Sequence, residues 1–304
     1  MAKLIEITGK ALSGEWGTDD DTGEGIPVLR TTNFTNEGIV NYHNIVTRKI
    51  TKNGIDEKYL RRGDIIIEKS GGSDKQPVGR VIYYDGPEST YLFNNFTGLL
   101  RVKDQKKWYP RYVFYSLFSN YRKGGTRAFQ NKTTGLHNLK TDEYVSCYEV
   151  TEADINDQIA VCYQMDQVNG IIKMRQQQLQ KLDELVKARF VELFGDPVRN
   201  PHGYSKVPLS ELADIKIGPF GSLLHKEDYV ANGHALVNPS HIVDGKISVD
   251  DELTVSDEKF RELSAYHLQV GDVVMGRRGE MGRCAVVQTG GLLCGTGSLL
   301  IRTK

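Results

Sequence analysis

Two spacings of apolar residues divide this chain. Over residues 152–194 the side chains Ile155, Ile159, Cys162, Met165, Ile172, Leu179, Leu182, Val186, Phe190 and Leu193 recur mostly three, four or seven positions apart, which lines one face of a 3.6-residue helix. Glu152, Asp154 and Asp157 crowd its first turns and Lys187 and Arg189 lie near its end, as the helix dipole favours. Gly195 and Pro197 then stop it. At 1.5 Å per residue this spine is roughly 60 Å long, well beyond the usual globular helix. Its stripe can be covered by its own domain or by a second helix. The length, the very polar middle at 173–181 and the near-heptad seam through Ile159, Ile172, Leu179, Leu182, Val186 and Phe190 favour coiled-coil pairing. Gly170 weakens the helix by about 1 kcal/mol relative to alanine.

On both flanks the pattern changes to short β-type runs between turn residues. Residues 26–29, 64–67, 79–84 and 98–102 are apolar or β-branched and bounded by Gly, Asn, Asp and Pro. Residues 110–121, PRYVFYSLFSNY, predict a helix with proline in its first turn, where a missing amide donor is tolerated. A Gly-, Thr- and Lys-rich loop follows over 123–140.

The flanks are diverged copies of one unit, offset by about 200 residues. Leu4-Ile5-Glu6-Ile7 pairs with Leu209-Ser210-Glu211-Leu212, Gly25 to Leu29 with Gly233 to Val237, and Asn33-Phe34 with His241-Ile242. The strongest anchor sets residues 60–86 against 268–291: Gly-Asp, a buried strand, a Gly-rich basic turn, then Gly-Arg and a second strand. Gly98-Leu99-Leu100 pairs with Ser298-Leu299-Leu300. The second copy then stops where the first enters its most basic part, so the second copy is expected to be incomplete.

Length, 304 residues, suggests two domains. With no membrane-length apolar run and no signal peptide, a cytoplasmic protein is expected. Cys147, Cys162, Cys284 and Cys294 form no CxxC pair and have no histidine at ligand spacing, so reduced structural thiols are expected. The 39 basic and 39 acidic residues cancel, which argues against an unspecialised nucleic-acid binder. Their distribution is uneven: residues 101–140 hold ten basic residues and one acid, Asp104, a footprint for a polyanion or a solvated basic face.

Binding chemistry concentrates in the turns. Glycines let backbone approach a phosphate, and Arg or Lys supplies charge or reads guanine edges. Lys69, Lys75 and Arg80 in the first copy, and Arg277, Arg278 and Arg283 in the second, occupy equivalent turns. In the basic loop, Arg127, Gln130 and Asn131 are the residue types that make bidentate contacts to G or A. Lys106, Lys107, Lys123 and Lys132 suit phosphates. For either turn alone an ordinary hairpin with solvated charges explains the pattern equally well; recurrence at the equivalent place in both copies favours binding.

Catalytic patterns are absent. No GxxxxGK[ST] loop occurs, and Gly295-Thr296-Gly297 lacks a third glycine. Asn200-Pro201-His202-Gly203 falls short of the Asn-Pro-Pro-aromatic motif of adenine methyltransferases, and Glu68-Lys69 lacks the Glu-x-Lys spacing of metal-dependent nucleases. No paired base and nucleophile stands out among seven histidines.

Two diverged repeats, a helix beginning INDQIAVCYQMDQ and ending LDELVKARFVELFGDP, and the Gly-Asp-strand-turn-Gly-Arg-strand unit in each repeat together resemble the specificity subunit of type I restriction-modification systems. The resemblance covers essentially the whole chain. It implies an α+β protein with a first DNA target-recognition domain at 1–151, a spacer and dimerisation helix at 152–196 and a partial second recognition domain at 197–304. It implies a non-catalytic subunit that reads half of a bipartite double-stranded DNA site with each domain. Methyltransferase subunits would bring S-adenosylmethionine, and a restriction and translocase subunit ATP and Mg, so this chain needs no cofactor. Self-association through the long helix is expected where a second helix is missing. A stand-alone nuclease or DNA-modifying enzyme, or a coiled-coil scaffold that no longer binds DNA, are the competing readings.

Overall fold

The computed structural model of the chain describes residues 1–52, 54–73, 76–133, 136–250, 252–279 and 281–304, with the backbone alone at 132 and 133. By internal contacts the chain separates into Met1–Val186 and Lys187–Lys304, the boundary falling inside the helix Ile155–Phe194. It is α+β, as the sequence predicts.

In the first unit the run Ile65-Ile66-Ile67 has no polar alternation because both of its faces are covered; all three side chains are fully buried. This strand, Ile65–Glu68, sits inside a four-stranded sheet in the order Leu12–Ser13, Thr97–Leu100, Ile65–Glu68, Val81–Tyr83. Ile65 and Ile67 face one core with Leu4, Ile7, Val113, Phe114 and Leu117, the last three from the helix Pro110–Arg122. Ile66 faces the other core with Leu29, Phe93 and Leu99. That second core is closed by a sheet in the order Thr18–Asp19, Val46–Lys49, Ile26–Leu29, Leu92–Phe93, the last two strands parallel.

The second unit repeats the topology. Its first sheet runs Ala213–Ile217, Ser298–Thr303, Val273–Gly276, Cys284–Val286. In its other sheet His234–Val237 lies parallel to Leu292–Cys294, as Ile26–Leu29 does to Leu92–Phe93. The match reaches individual bonds: Asn94 N donates to Leu29 O (2.9 Å) and Gly295 N to Val237 O (3.0 Å); Lys103 N donates to Ile7 O (3.0 Å) and Lys304 N to Leu212 O (3.1 Å). Gly14 and Gly218 are equivalent too. A Cβ on Gly14 would lie 2.2 Å from the carbonyl oxygens of Phe93 and Asn94, and one on Gly218 2.0 Å from that of Gly295.

The strand register corrects one sequence alignment. Leu99 pairs with Ile66 and Leu300 with Val274, so Gly98 corresponds to Leu299 rather than Ser298. A small residue followed by two leucines fits either register, and a slip of one residue exchanges the faces of every side chain.

One buried brace holds each copy. The Asp64 carboxylate accepts Arg101 Nε and Nη2, both at 2.7 Å, and the Arg61 amide at 2.7 Å. In the second unit Asp272 accepts Arg302 Nε at 2.8 Å and Nη2 at 2.6 Å, and the Gln269 amide at 2.7 Å. Burial pulls the Asp272 carboxyl upward, yet Arg302 and the Gln269 amide outweigh it and hold it below the usual carboxylate range.

The spine helix is 40 residues long. Its first turns lock onto the first unit. Buried Gln158 accepts from Tyr109 N (2.9 Å) and donates to the carbonyls of Lys107 (3.0 Å) and Ala153 (2.9 Å). Arg111 pairs with Asp166 at 2.7 Å, the Tyr115 hydroxyl donates to Asp166, and Asn169 donates to Tyr115 at 3.0 Å. Of the forty helix residues, only Gln158 and Cys162 are buried. The seam residues Ile159, Ile172, Leu179, Leu182, Val186 and Phe190 are 45% to 70% exposed. Coverage of the stripe by its own domain therefore ends at Cys162. Among the described residues no helix is long and apolar enough to cross a membrane. All four cysteines carry free thiols.

Candidate nucleic-acid interface

The basic loop expected over 123–140 is largely a hairpin. Gln130–Thr133 pairs with Leu136–Leu139, and the latter with Ser70–Gly72, so three strands carry the turn residues of the first copy. These strands form without apolar alternation, and the pairing of Leu136–Leu139 with Ser70–Gly72 satisfies backbone groups far apart in sequence. Lys69 N and Leu139 N anchor the edges through Phe96 O and Lys69 O, each at 2.8 Å.

This geometry separates residues that the sequence groups together. Gln130 and Asn131 are neighbours in one strand and so point to opposite faces. Gln130 Oε1 lies 2.9 Å from His137 Nδ1, whereas Asn131 is directly opposite Asn138, which in turn pairs with Ser70. Arg127 is exposed in the single turn Arg127–Phe129 that precedes the hairpin. Lys123 is exposed at the end of the helix Pro110–Arg122. Lys106 is exposed, but Lys107 is drawn to the start of the spine, 3.2 Å from Glu152. The side chain of Lys132, and Lys75 altogether, lie outside the described residues.

Arg80 is not a free reader. It bonds buried Glu68 through Nε (3.3 Å) and Nη2 (3.1 Å), and donates to the carbonyls of Phe34 (3.1 Å) and Thr31 (3.0 Å). Burial pushes the Glu68 carboxyl above its usual range, although Arg80 acts in the opposite direction. The guanidinium is thus spent on fixing the turn. Arg283 begins the same way, donating to the Ile242 carbonyl at 3.3 Å, the position equivalent to Phe34, but stays exposed.

Lys69 remains at the surface of a cleft, donating to Ser13 Oγ at 2.8 Å. Burial pulls its ammonium below the usual lysine range, with Asp142 acting weakly the other way. The cleft, of about 550 Å³, is lined also by Ser70, Asn95, Phe96 and Asn138. In the second unit Arg277 and Arg278 stand where Lys69 and Ser70 do. Arg277 Nη2 donates to Thr296 O at 3.3 Å, while Arg278 is exposed. The sequence reading missed Asn95, Phe96 and Asn138. Among the described residues no group of three or more His, Cys, Asp or Glu side chains converges as metal ligands would.

Two copies of one α+β unit, braced alike and joined in the chain by a single long helix, define a bipartite architecture. It is the fold of type I restriction-modification specificity subunits. The S subunit of the type I restriction-modification system from M. genitalium superposes with a TM-score of 0.53 at 14% identity, over 99% of this chain and 71% of that one. A second chain, from a structure concerned with complex assembly and conformational transition of the type I R-M system, superposes with a TM-score of 0.52 at 15% identity, over 100% of this chain and 75% of that one. No protein-family model and no curated protein matches the sequence.

Proposed function

We propose that this chain is a sequence-specificity subunit of a type I restriction-modification complex, reading double-stranded DNA and directing methyltransferase and restriction subunits to it. The observation that carries the reading is the doubled unit: equivalent Asp64–Arg101 and Asp272–Arg302 braces stand in sheets of the same strand order, with half-buried Lys69 at the turn of the first unit and exposed Arg278 and Arg283 at the equivalent turn of the second. A scaffold of constant backbone and variable turn side chains suits recognition of two half-sites, since base edges are read by side chains while phosphate contacts position them. The fold likeness to S subunits supports it.

On this reading residues 1–151 form the first reader, 152–196 the spacer and 197–304 belong to the second reader. Lys69, Lys123, Arg127, Asn131, Arg278 and Arg283 face DNA. The chain contributes no catalysis and works in the cytoplasm; S-adenosylmethionine, ATP and Mg belong to its partners. The exposed seam of the spine docks a partner helix, from a methyltransferase subunit or a second copy of this chain. Co-expression with methyltransferase subunits tests this: a complex that survives gel filtration and methylates DNA only when the chain is present is expected. Methyltransferase that neither binds the chain nor changes its sites would contradict the reading.

A further inference from the structure

The two units share a backbone frame at one turn and differ completely in the side chains it presents. In the first unit the turn 94–96 is tied down on all sides. Phe96 O accepts Lys69 N (2.8 Å) and Ser70 N (3.3 Å), Thr97 N donates to Asn94 O (3.1 Å), and the buried Thr97 hydroxyl donates to the same oxygen (2.8 Å). In the second, Gly297 O accepts Arg277 N (2.9 Å) and Arg278 N (3.3 Å), and Ser298 N donates to Gly295 O (3.0 Å). The bonds coincide to about a tenth of an ångström.

On that common frame the first unit displays Phe96, Lys69 and Ser70, and the second Gly297, Arg277 and Arg278. Phe96 is 51% exposed on a turn that is not frayed, so its ring is presented by a fixed backbone. It borders the cleft that Lys69, Asn95 and Asn138 share. Scattered exposed apolar residues are normal. This one differs from them in standing at the edge of a polar cleft, beside a lysine and two amides, where its counterpart is a glycine flanked by two arginines.

We propose that this turn is the specificity-determining element of both units, with Phe96 making an apolar base contact in the first and Arg278 a guanine contact in the second. This rests on the DNA-reading function proposed above. Phenyl rings meet the thymine methyl group in the major groove, and arginine bonds guanine O6 and N7 in bidentate fashion. The first half-site therefore carries an A·T pair where Phe96 lands, and the second a G·C pair where Arg278 lands. Arg277 is the supporting member, its guanidinium already bonded to Thr296 O.

Selection from a randomised duplex library by the full chain tests this with wild type, Phe96→Ala, Phe96→Trp and Arg278→Ala. Wild type is expected to enrich two half-sites. Phe96→Ala should lose an A·T preference in one half and bind its selected duplex about tenfold more weakly or worse. Arg278→Ala should lose a G·C preference in the other half only. Phe96→Trp should keep the motif, and its indole emission should be quenched when that duplex is added. If Phe96→Ala selects the wild-type motif at wild-type affinity, the inference falls and the DNA-reading function stands. If Phe96→Ala fails to fold by circular dichroism, indole emission of Phe96→Trp that saturating duplex leaves unchanged overturns the inference. Wild type that enriches no sequence overturns the DNA-reading function, and the inference with it.

Discussion

Replacing Asp64 by alanine strikes the first unit at a buried, multiply bonded point. The carboxylate is 2% exposed and accepts three donors at 2.7 Å, two of them from Arg101. Removing one partner of a buried ion pair costs about 3–5 kcal/mol, because a charge is left uncompensated. Arg101 would keep the carbonyls of Tyr59 (2.8 Å) and Glu57 (2.9 Å), so the lower end, about 3 kcal/mol, is the expected loss. For a unit of this size that lowers Tm by about 6–12 °C. Scanning calorimetry of the full chain is the assay, the affected transition being assigned with Asp272→Ala, which should lower the other one. The double variant Asp64→Ala/Arg101→Met should recover part of the loss, since no buried charge remains. A loss below about 1 kcal/mol for Asp64→Ala, or a double variant no better than the single, would refute the brace as the element that holds the unit.

The Asp272 carboxyl is held below its usual range, so its contribution is fully present above about pH 4 and is lost as pH falls through the lower folded value. The urea midpoint of the second unit should drop as pH is lowered below about 4, and the drop should be smaller in Asp272→Asn. Gly14→Ala should unfold or severely destabilise the first unit, because the added Cβ meets backbone at 2.2 Å; soluble protein with wild-type Tm would contradict the turn geometry. Leu179→Asp with Leu182→Asp should abolish pairing of the spine. Each leucine buried in such a seam contributes about 1.5–3 kcal/mol, so the dissociation constant read by sedimentation should rise about a hundredfold or more.

The spine was legible because its periodicity and its stop, Gly195 and Pro197, are local signals, and the buried central strand because three isoleucines in a row suit only a strand covered on both faces. The repeat was legible for the same reason, down to the Gly-Asp and Gly-Arg anchors. The hairpin at 130–139 was not. QNKT and LHNL carry no amphipathic pattern, and their pairing with Ser70–Gly72 is a long-range backbone event. Counting basic residues over 101–140 also misjudged roles, since charge in a sequence does not show where its partner lies: Arg101 is bound to Asp64 and Arg111 to Asp166. Arg80, read as a DNA contact, belongs to Glu68 for the same reason. Phe96 was hidden by the one-residue slip at 98 and 298. In the correct register it corresponds to Gly297 of the second unit, and that contrast is the signal that marks it.

The central claim is that this chain decides where DNA is modified, and the base-modification map of cells carrying it with its methyltransferase subunits tests that most directly. The account predicts methylation at one bipartite motif that disappears when the chain is deleted and changes in one half alone when Phe96 or Arg278 is replaced. A map that is the same with and without the chain would contradict it.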